Sequence, residues 1–171
     1  MRHDVRPIVP SDAERLADLL VQNRDYLAPW DPVRPESFFT TDGQRAEILA
    51  CIRRRERGQM LPLVITTDDV VVGRLNVNSI VQGAFQSGTL GYWVSEDAAG
   101  HGAATAAVGR TVRLAFDQLR LHRVEAGTLP HNERSQRVLE KNGFERYGYA
   151  PRYLRIAGRW QDHVLFQRLA D

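Results

Sequence analysis

The residues best able to do chemistry lie between Leu90 and Thr105, LGYWVSEDAAGHGAAT. An aromatic strand, Leu90–Val94, runs into a short acidic loop and then into Gly100-His101-Gly102, where an alanine-rich helix begins. Unpaired backbone N–H groups converge at such a helix start and the dipole favours negative charge, so the turn makes an anion site. Glycine suits it because a side chain there would hold a phosphate away from the backbone. A plain turn ahead of a helix has the same Gly-x-Gly look, and the tripeptide alone does not separate the two. Cys51 lies in the apolar register of a helix and reads as small core filler rather than a nucleophile. Arg53-Arg54-Arg55-Glu56-Arg57 closes that helix. It serves either as a solvated end with cations well placed at the C-terminus, or as a docking patch for an RNA-rich partner.

The elements that must position these groups follow from periodicity and turn residues. Ser11, with Glu14 three residues on, predicts a capping box opening a helix through Leu16, Leu19, Leu20 and Leu27. Pro29, Pro32 and Pro35 enforce an extended stretch around Trp30. A second helix starts at Thr41 or Asp42, carries Ile48, Leu49 and Ile52, and closes near Gly58. A hairpin, Leu61–Thr67 and Val70–Ile80, turns at Asp68-Asp69. Beyond a loop at Gly83 come a strand Thr89–Val94, a helix Ala103–Leu119 and a strand His122–Leu129. A helix Asn132–Asn142 stopped by Gly143 follows, then two strands around Ala157-Gly158, the second being Trp160–Leu169. This order predicts one α/β (α+β) domain over residues 1–171, with a mixed, largely antiparallel central sheet and helices on both faces. Ligands of such sheets favour the crevice where neighbouring strands part. The Gly100 turn sits at one such strand end and Asn132 at the next.

Composition narrows the classes. A chain of 171 residues supports one well-buried core and is too short for two comfortable domains. A net charge of +2 is too small to announce a nucleic-acid binder. No apolar run approaches the roughly 20 residues of a membrane span, and MRHDVRPIVP carries no apolar signal core. The single cysteine excludes an internal disulfide and fits a reducing compartment, so a cytoplasmic protein is expected. No metal is expected.

Longer motifs sharpen the reading. The glycine turn resembles the acyl-CoA pyrophosphate loop of the GNAT N-acetyltransferases. PHNERSQRVLEKNGF resembles their second signature, an Asn at a strand end, a Ser three residues later, and a helix closed by Gly-Phe. QNRDYLAPWDPVR, IVQGAF and YLRIAGRWQDHVL resemble the RimJ branch of that family, in the same order and over almost the whole chain. That branch acetylates the N-terminal alanine of a small-subunit ribosomal protein. The resemblance implies the GNAT fold, acetyl-CoA as co-substrate, and a set of roles. The backbone of Tyr92, Trp93 and Val94 would pair with the pantetheine arm as if it were an added strand. The amides of Gly100, His101, Gly102, Ala103, Ala104 and Thr105 would hold the pyrophosphate. Asn132 would hydrogen-bond the arm near the thioester and Ser135 would sit beside the sulfur; an ordinary N-cap and a first-turn polar residue are the alternatives. Asn23, Arg24 and Trp30 would shape a peptide slot, and Trp30 also suits a core or hinge aromatic. Asn76 and Asn78 alternate on one strand face, which fits backbone readout of an extended peptide or a solvated face.

Two departures from the family matter. Many members carry a basic residue ahead of the glycine turn, where this chain has Asp97, Ala98 and Ala99. Phosphate binding then leans on backbone amides and His101, with help from Arg110 or Lys141. Many members also carry a Tyr seven residues after the helix-opening Asn, which protonates the leaving thiolate. Leu139 occupies that place here, so the acid role passes to Ser135. The implied chemistry is direct attack of an amine on the thioester, with backbone donors stabilising the oxyanion. An α-amine has a pKa of about 8 against about 10.4 for lysine, a gap worth about 3.4 kcal/mol, so a weak base suffices for an N-terminal acceptor. Glu125 is the first candidate, although HRVEAGT leaves its face open; Asp162 and His163 are the second. The favoured reading is acetylation of a ribosomal-protein N-terminal alanine. Two others remain open. A small-amine GNAT (amino acid, polyamine or aminoglycoside) would need an acidic pocket, whereas Asp31, Glu36 and Asp42 are scattered. A non-catalytic acetyl-CoA-binding ribosome assembly factor would dock through Arg53–Arg57.

Overall fold

The computed structural model describes residues 1–170 and holds seven strands in one sheet. They are β1 (His3–Pro7), β2 (Leu61–Thr67), β3 (Val70–Val81), β4 (Ser87–Val94), β5 (Arg123–Thr128), β6 (Glu145–Ile156) and β7 (Arg159–Leu169). Their spatial order is β1-β2-β3-β4-β5-β7-β6. Every neighbouring pair is antiparallel except β4 and β5. The expected mixed, largely antiparallel class is borne out.

β2 alternates its burial between two cores, which is why LPLVITT reads as a near-continuous apolar run. Leu63 and Ile65 pack with Leu75, Val77 and the apolar stripe of α4 (Ala103–Asp117), namely Ala107, Val108, Val112 and Ala115. Leu139 of α5 (Glu133–Lys141) joins the same cluster. Val64 faces the other way, with Val71, against Leu16 and Leu19 of α1 (Ala13–Gln22) and Ile48 of α3 (Thr41–Glu56). Helices thus cover both faces.

Several local expectations need correction. The sequence reading contains no strand at the N-terminus, yet His3–Pro7 pairs along β2. Ser11 is exposed and caps nothing. Asp12 does that work: its Oδ2 accepts the Val9 N–H at 2.9 Å, and the carboxylate forms a two-point pair with Arg6. The first helix also does not run through to Leu27. Asn23 leaves helical geometry, and a separate turn, α2 (Arg24–Leu27), follows. Thr40 caps α3, its Oγ1 accepting the Gly43 N–H at 3.0 Å. The turns at Asp68-Asp69 and Ala157-Gly158 have positive φ at both central residues, the twist that two-residue hairpins require.

One feature of the sheet decides where a ligand can go. β4 and β5 pair through only three rows, Ser87↔Arg123, Gly88↔Val124 and Thr89↔Glu125. Beyond Thr89, β4 continues to Val94 paired with β3 alone, while β5 continues to Thr128 paired with β7 alone. A wedge opens through the sheet.

Candidate active site

The wedge lies in the lining of a cavity of about 750 Å³ that draws residues from both faces of the sheet. Leu90, Tyr92, Asn132, Ser135 and Leu139 line its α5 end. Arg24, Trp30, Arg74, Asn76 and Asn78 line the end below α1–α3, and Glu125, in register with Thr89 and through it with Asn78, shares that face. The sequence-derived catalytic set is therefore brought together around one opening.

Along the wedge, residues Leu90–Val94 have one edge hydrogen-bonded to β3 and the other edge facing no strand. Exposed backbone donors and acceptors in a row are what an extended ligand needs to add itself as a strand. Tyr92 turns its side chain toward α5, where its hydroxyl lies 2.8 Å from Ser135 Oγ and 3.3 Å from the Ser135 carbonyl oxygen. Burial pushes the Tyr92 phenol up to about 12, despite the Ser135 hydrogen bond that pulls the other way. Leu139 is fully buried behind this pair. Asn132 is the N-cap of α5: its Oδ1 accepts the Ser135 N–H at 3.2 Å, which leaves its Nδ2 available as a donor.

At the start of α4, Gly100 and Gly102 adopt φ of +82° and +91°, and Gly102 is the N-cap without any side-chain cap bond. The first intrahelical bond is Ala106 N–H to Gly102 O, so the amides of the opening turn lack helical partners. No protein atom stands within 4 Å of a Cβ placed on Gly100. Glycine is thus required by backbone angle, not by crowding within the protein. His3, a residue the sequence reading passed over, pins this loop: its Nε2 donates to the His101 carbonyl oxygen at 2.9 Å. A carbonyl only accepts, so in the neutral ring Nδ1 accepts from the Thr67 hydroxyl, 2.9 Å away. His101 itself is exposed. Arg110, seven residues or about 10 Å along the helix from Ala103, pairs with Asp4 at 3.2 Å. Lys141 is exposed beside Asn142, whose Nδ2 donates to the Thr105 carbonyl oxygen at 3.1 Å, so that end of α5 lies against the opening of α4.

Glu125 faces the cavity, which the sequence left open. Its Oε1 accepts from Arg123 Nε at 2.7 Å and from the Tyr147 hydroxyl at 3.0 Å. It sits opposite Thr89, in the last row before the strands part. His163 lines the same cavity, 3% exposed. Its Nδ1 donates to the Gln161 carbonyl oxygen at 3.1 Å, which leaves Nε2 with the lone pair in the neutral ring. Asp162 stands outside the lining. It accepts from the Tyr149 hydroxyl and the Arg152 N–H, and these bonds hold its carboxyl below the usual range.

The acceptor-side residues fare unevenly. Arg24 lines the cavity, forms a two-point pair with Glu36 and lies over the Phe39 ring at 4.2 Å. Trp30 stacks on His131 with ring centroids 5.4 Å apart. Asn76 and Asn78 both face the cavity. Asn23 does not. It is buried, donates to the Leu19 carbonyl oxygen and accepts the Glu96 N–H, so its amide ties α1 to the loop before the glycines. Cys51 is buried as expected, but in polar company, between Arg74 Nη2 at 3.1 Å and Glu47 Oε1 at 3.6 Å. Burial pushes its thiol up, which disfavours a thiolate nucleophile. Among the described residues no group of three side chains could hold a metal ion.

This geometry has close counterparts. Residues 2–145 match the family model described as the acetyltransferase (GNAT) domain. The chain is a GNAT acetyltransferase. A probable N-acetyltransferase, YjcK, of Bacillus subtilis is 38% identical over 161 residues, covering 93% of this chain and 89% of that protein. The ribosomal protein uS5-alanine N-acetyltransferase of Escherichia coli is 36% identical, covering 94% of this chain and 84% of its own. Among solved structures, Mycobacterium smegmatis RimJ in complex with a CoA disulfide superposes with a TM-score of 0.95 at 32% identity, covering 98% of this chain and 82% of that one. The RimJ resemblance of the sequence motifs is therefore borne out across nearly the whole GNAT domain. Among the described residues no helix is long and apolar enough to cross a membrane.

Proposed function

We propose that the protein transfers the acetyl group of acetyl-CoA to the α-amino group of a polypeptide N-terminus, with a ribosomal-protein alanine as acceptor in the cytoplasm. The observation that carries this reading is the cavity that crosses the sheet between β4 and β5. Its lining draws on residues of both faces of the sheet, so a thioester and a separate macromolecule can meet there from opposite sides. The similarity to the uS5-alanine acetyltransferase and to a RimJ that binds CoA supports the choice of co-substrate and acceptor.

In this reading the free edge of Tyr92, Trp93 and Val94 takes the pantetheine arm, with Asn132 Nδ2 donating near the thioester. The amides of Gly100–Thr105 hold the pyrophosphate, with Lys141 adding charge from the end of α5. The amine enters past Arg24, Trp30, Asn76 and Asn78 and attacks the carbonyl at the wedge, where positioning supplies much of the acceleration. Glu125 accepts the amine proton, and Ser135 gives one to the leaving sulfur. Three scattered acids toward the acceptor end are each paired, Asp31 with Arg34, Glu36 with Arg24 and Asp42 with Arg45, and form no acidic cluster for a polycationic small substrate. Arg53, Arg54, Arg55 and Arg57 are all exposed at the end of α3 and supply a charge-based contact with the small ribosomal subunit.

Incubation with acetyl-CoA and a peptide panel, read by mass spectrometry, tests the reading. Acetylation confined to free N-termini, Ala or Ser first, is the expected result. Acetylation of lysine side chains or small amines alone overturns it. Salt-sensitive ribosome binding without turnover points to an assembly factor instead.

A further inference from the structure

Arg74 is the unexplained group of the cavity. It is 7% exposed, on β3, and lines the acceptor end. Among the described residues the only hydrogen bond of its guanidinium is Nη2 to Cys51 Sγ, and its Nε has no partner. No carboxylate lies within ion-pair distance: Glu47, which lines the same cavity, receives the Cys51 S–H instead. A guanidinium carries five donors and a thiol is a weak acceptor, so a buried cation is left largely uncompensated. The deficit is not confined to Arg74. The buried Oδ1 of Asn76, two residues along the same strand face, and Thr128 Oγ1 across the wedge also lack partners. Both line this cavity.

We propose that Arg74 anchors a carboxylate of the acceptor, an acidic side chain close behind the amine that is acetylated. This rests on the acceptor reading above. A carboxylate meets a guanidinium through two parallel hydrogen bonds, which would satisfy the buried donors at once. Asn76 Oδ1 accepts a backbone N–H of the same extended segment. The spacing sets where the acid belongs. The strands part just past Thr89, whose partner on β3 is Asn78. Arg74 lies four residues further along β3, about 13 Å at roughly 3.3 Å per residue. An extended chain covers that distance in about four residues. The acid therefore falls within the first four positions of the acceptor. A free carboxylate on a small amine presents the same chemistry, so the test separates the two sources.

The protein is given acetyl-CoA and short C-terminally amidated peptides that begin with Ala and carry Glu or Gln at the second, third or fourth position. Free amino acids and dipeptides with unblocked carboxylates form a parallel arm. Glu at one of the three positions is expected to raise kcat/KM at least about tenfold over Gln, and Arg74→Gln is expected to reduce that ratio to about two or less. Arg74→Lys, which keeps the charge, retains part of the preference. A wild-type ratio near one at every position overturns the proposal, as does a ratio that survives Arg74→Gln. The wild-type comparison needs no substitution, so it decides even if the variant does not fold. Peptides acetylated without a Glu preference sink the subsite and leave the N-terminal reading standing. Arg74-dependent acetylation of carboxylate-bearing small amines alone sinks that reading and keeps the subsite.

Discussion

At the scale of single residues, the pair formed by Tyr92 and Ser135 is the most consequential. A serine hydroxyl alone is a weak acid toward a departing thiolate. Here it is backed by a phenol 2.8 Å away, whose buried setting holds its proton up to about pH 12. Once Ser135 gives up its proton, Tyr92 is the donor left to face the oxygen, which makes Tyr92 a positioning residue for the proposed acid. Ser135→Ala is expected to lower kcat about 100-fold and Tyr92→Phe about 10-fold. The double variant should be no worse than Ser135→Ala, because the phenol acts through the serine. Losses that multiply would separate the two roles. The sign of the pH dependence follows from the same pair. A raised pKa keeps Tyr92 protonated throughout the working range, so kcat/KM should rise as the acceptor amine loses its proton near pH 8 and stay level to about pH 10. A falling limb between those values would assign the acid to another group. Ser135 and Asn132 were legible as a spaced motif, whereas the Tyr92 hydroxyl was not. It meets Ser135 across 43 residues, and Tyr92 was read only for its backbone. Arg74 escaped for a related reason: one charge inside VVVGRLNVNSIV looks like a strand residue facing water, and only the packing of α3 above it shows that it is buried.

At the scale of elements, the glycine loop depends on a strand that periodicity could not reveal. HDVRP has five residues, a proline and no alternation, and it becomes β1 because the edge of β2 offers it partners. That placement brings His3 to the His101 carbonyl and ties the loop to the edge of the sheet. Asn23 misled in the opposite direction, since a polar residue beside Arg24 looks like a binding residue until its amide is seen bridging α1 and Glu96. α3 and α5 were readable because a glycine closes each, Gly58 and Gly143, and α4 because its apolar stripe runs from Ala103 to Ala115 behind the glycine turn. Gly102 allows a charge test of the proposed phosphate site. Asp and Asn both tolerate its φ of +91° better than other L residues, and they differ in charge alone. Gly102→Asp is expected to raise the acetyl-CoA dissociation constant at least about tenfold more than Gly102→Asn, because it sets a carboxylate against the pyrophosphate at a helix start. Equal effects by calorimetry would place the pyrophosphate elsewhere.

At the scale of the whole molecule, the sheet is two half-sheets with a narrow join. β1–β4 and β5–β7 are each paired along most of their length, yet they share only the three rows from Ser87↔Arg123 to Thr89↔Glu125. Both helices of the second face close over this junction, α4 packing on the first half and α5 reaching Thr105 through Asn142. A ligand lying along β4 would extend the join by the length of Leu90–Val94 and tie the halves where protein pairing stops. Binding to the folded state alone contributes about 2.7 kcal/mol at a hundredfold excess over the dissociation constant. For a chain of this size that is a midpoint increase of about 5–10 °C. Stabilisation by itself would follow from binding anywhere, so the location of the gain is the informative part. Alternate amides of Leu90–Val94, those on the edge turned away from β3, should become protected from hydrogen exchange when CoA is added. The amides of β1 and β2, already paired, should change little. A rise in midpoint with no new protection in Leu90–Val94 would mean that the arm does not lie in the wedge, and the cavity would then have to be reached by another path.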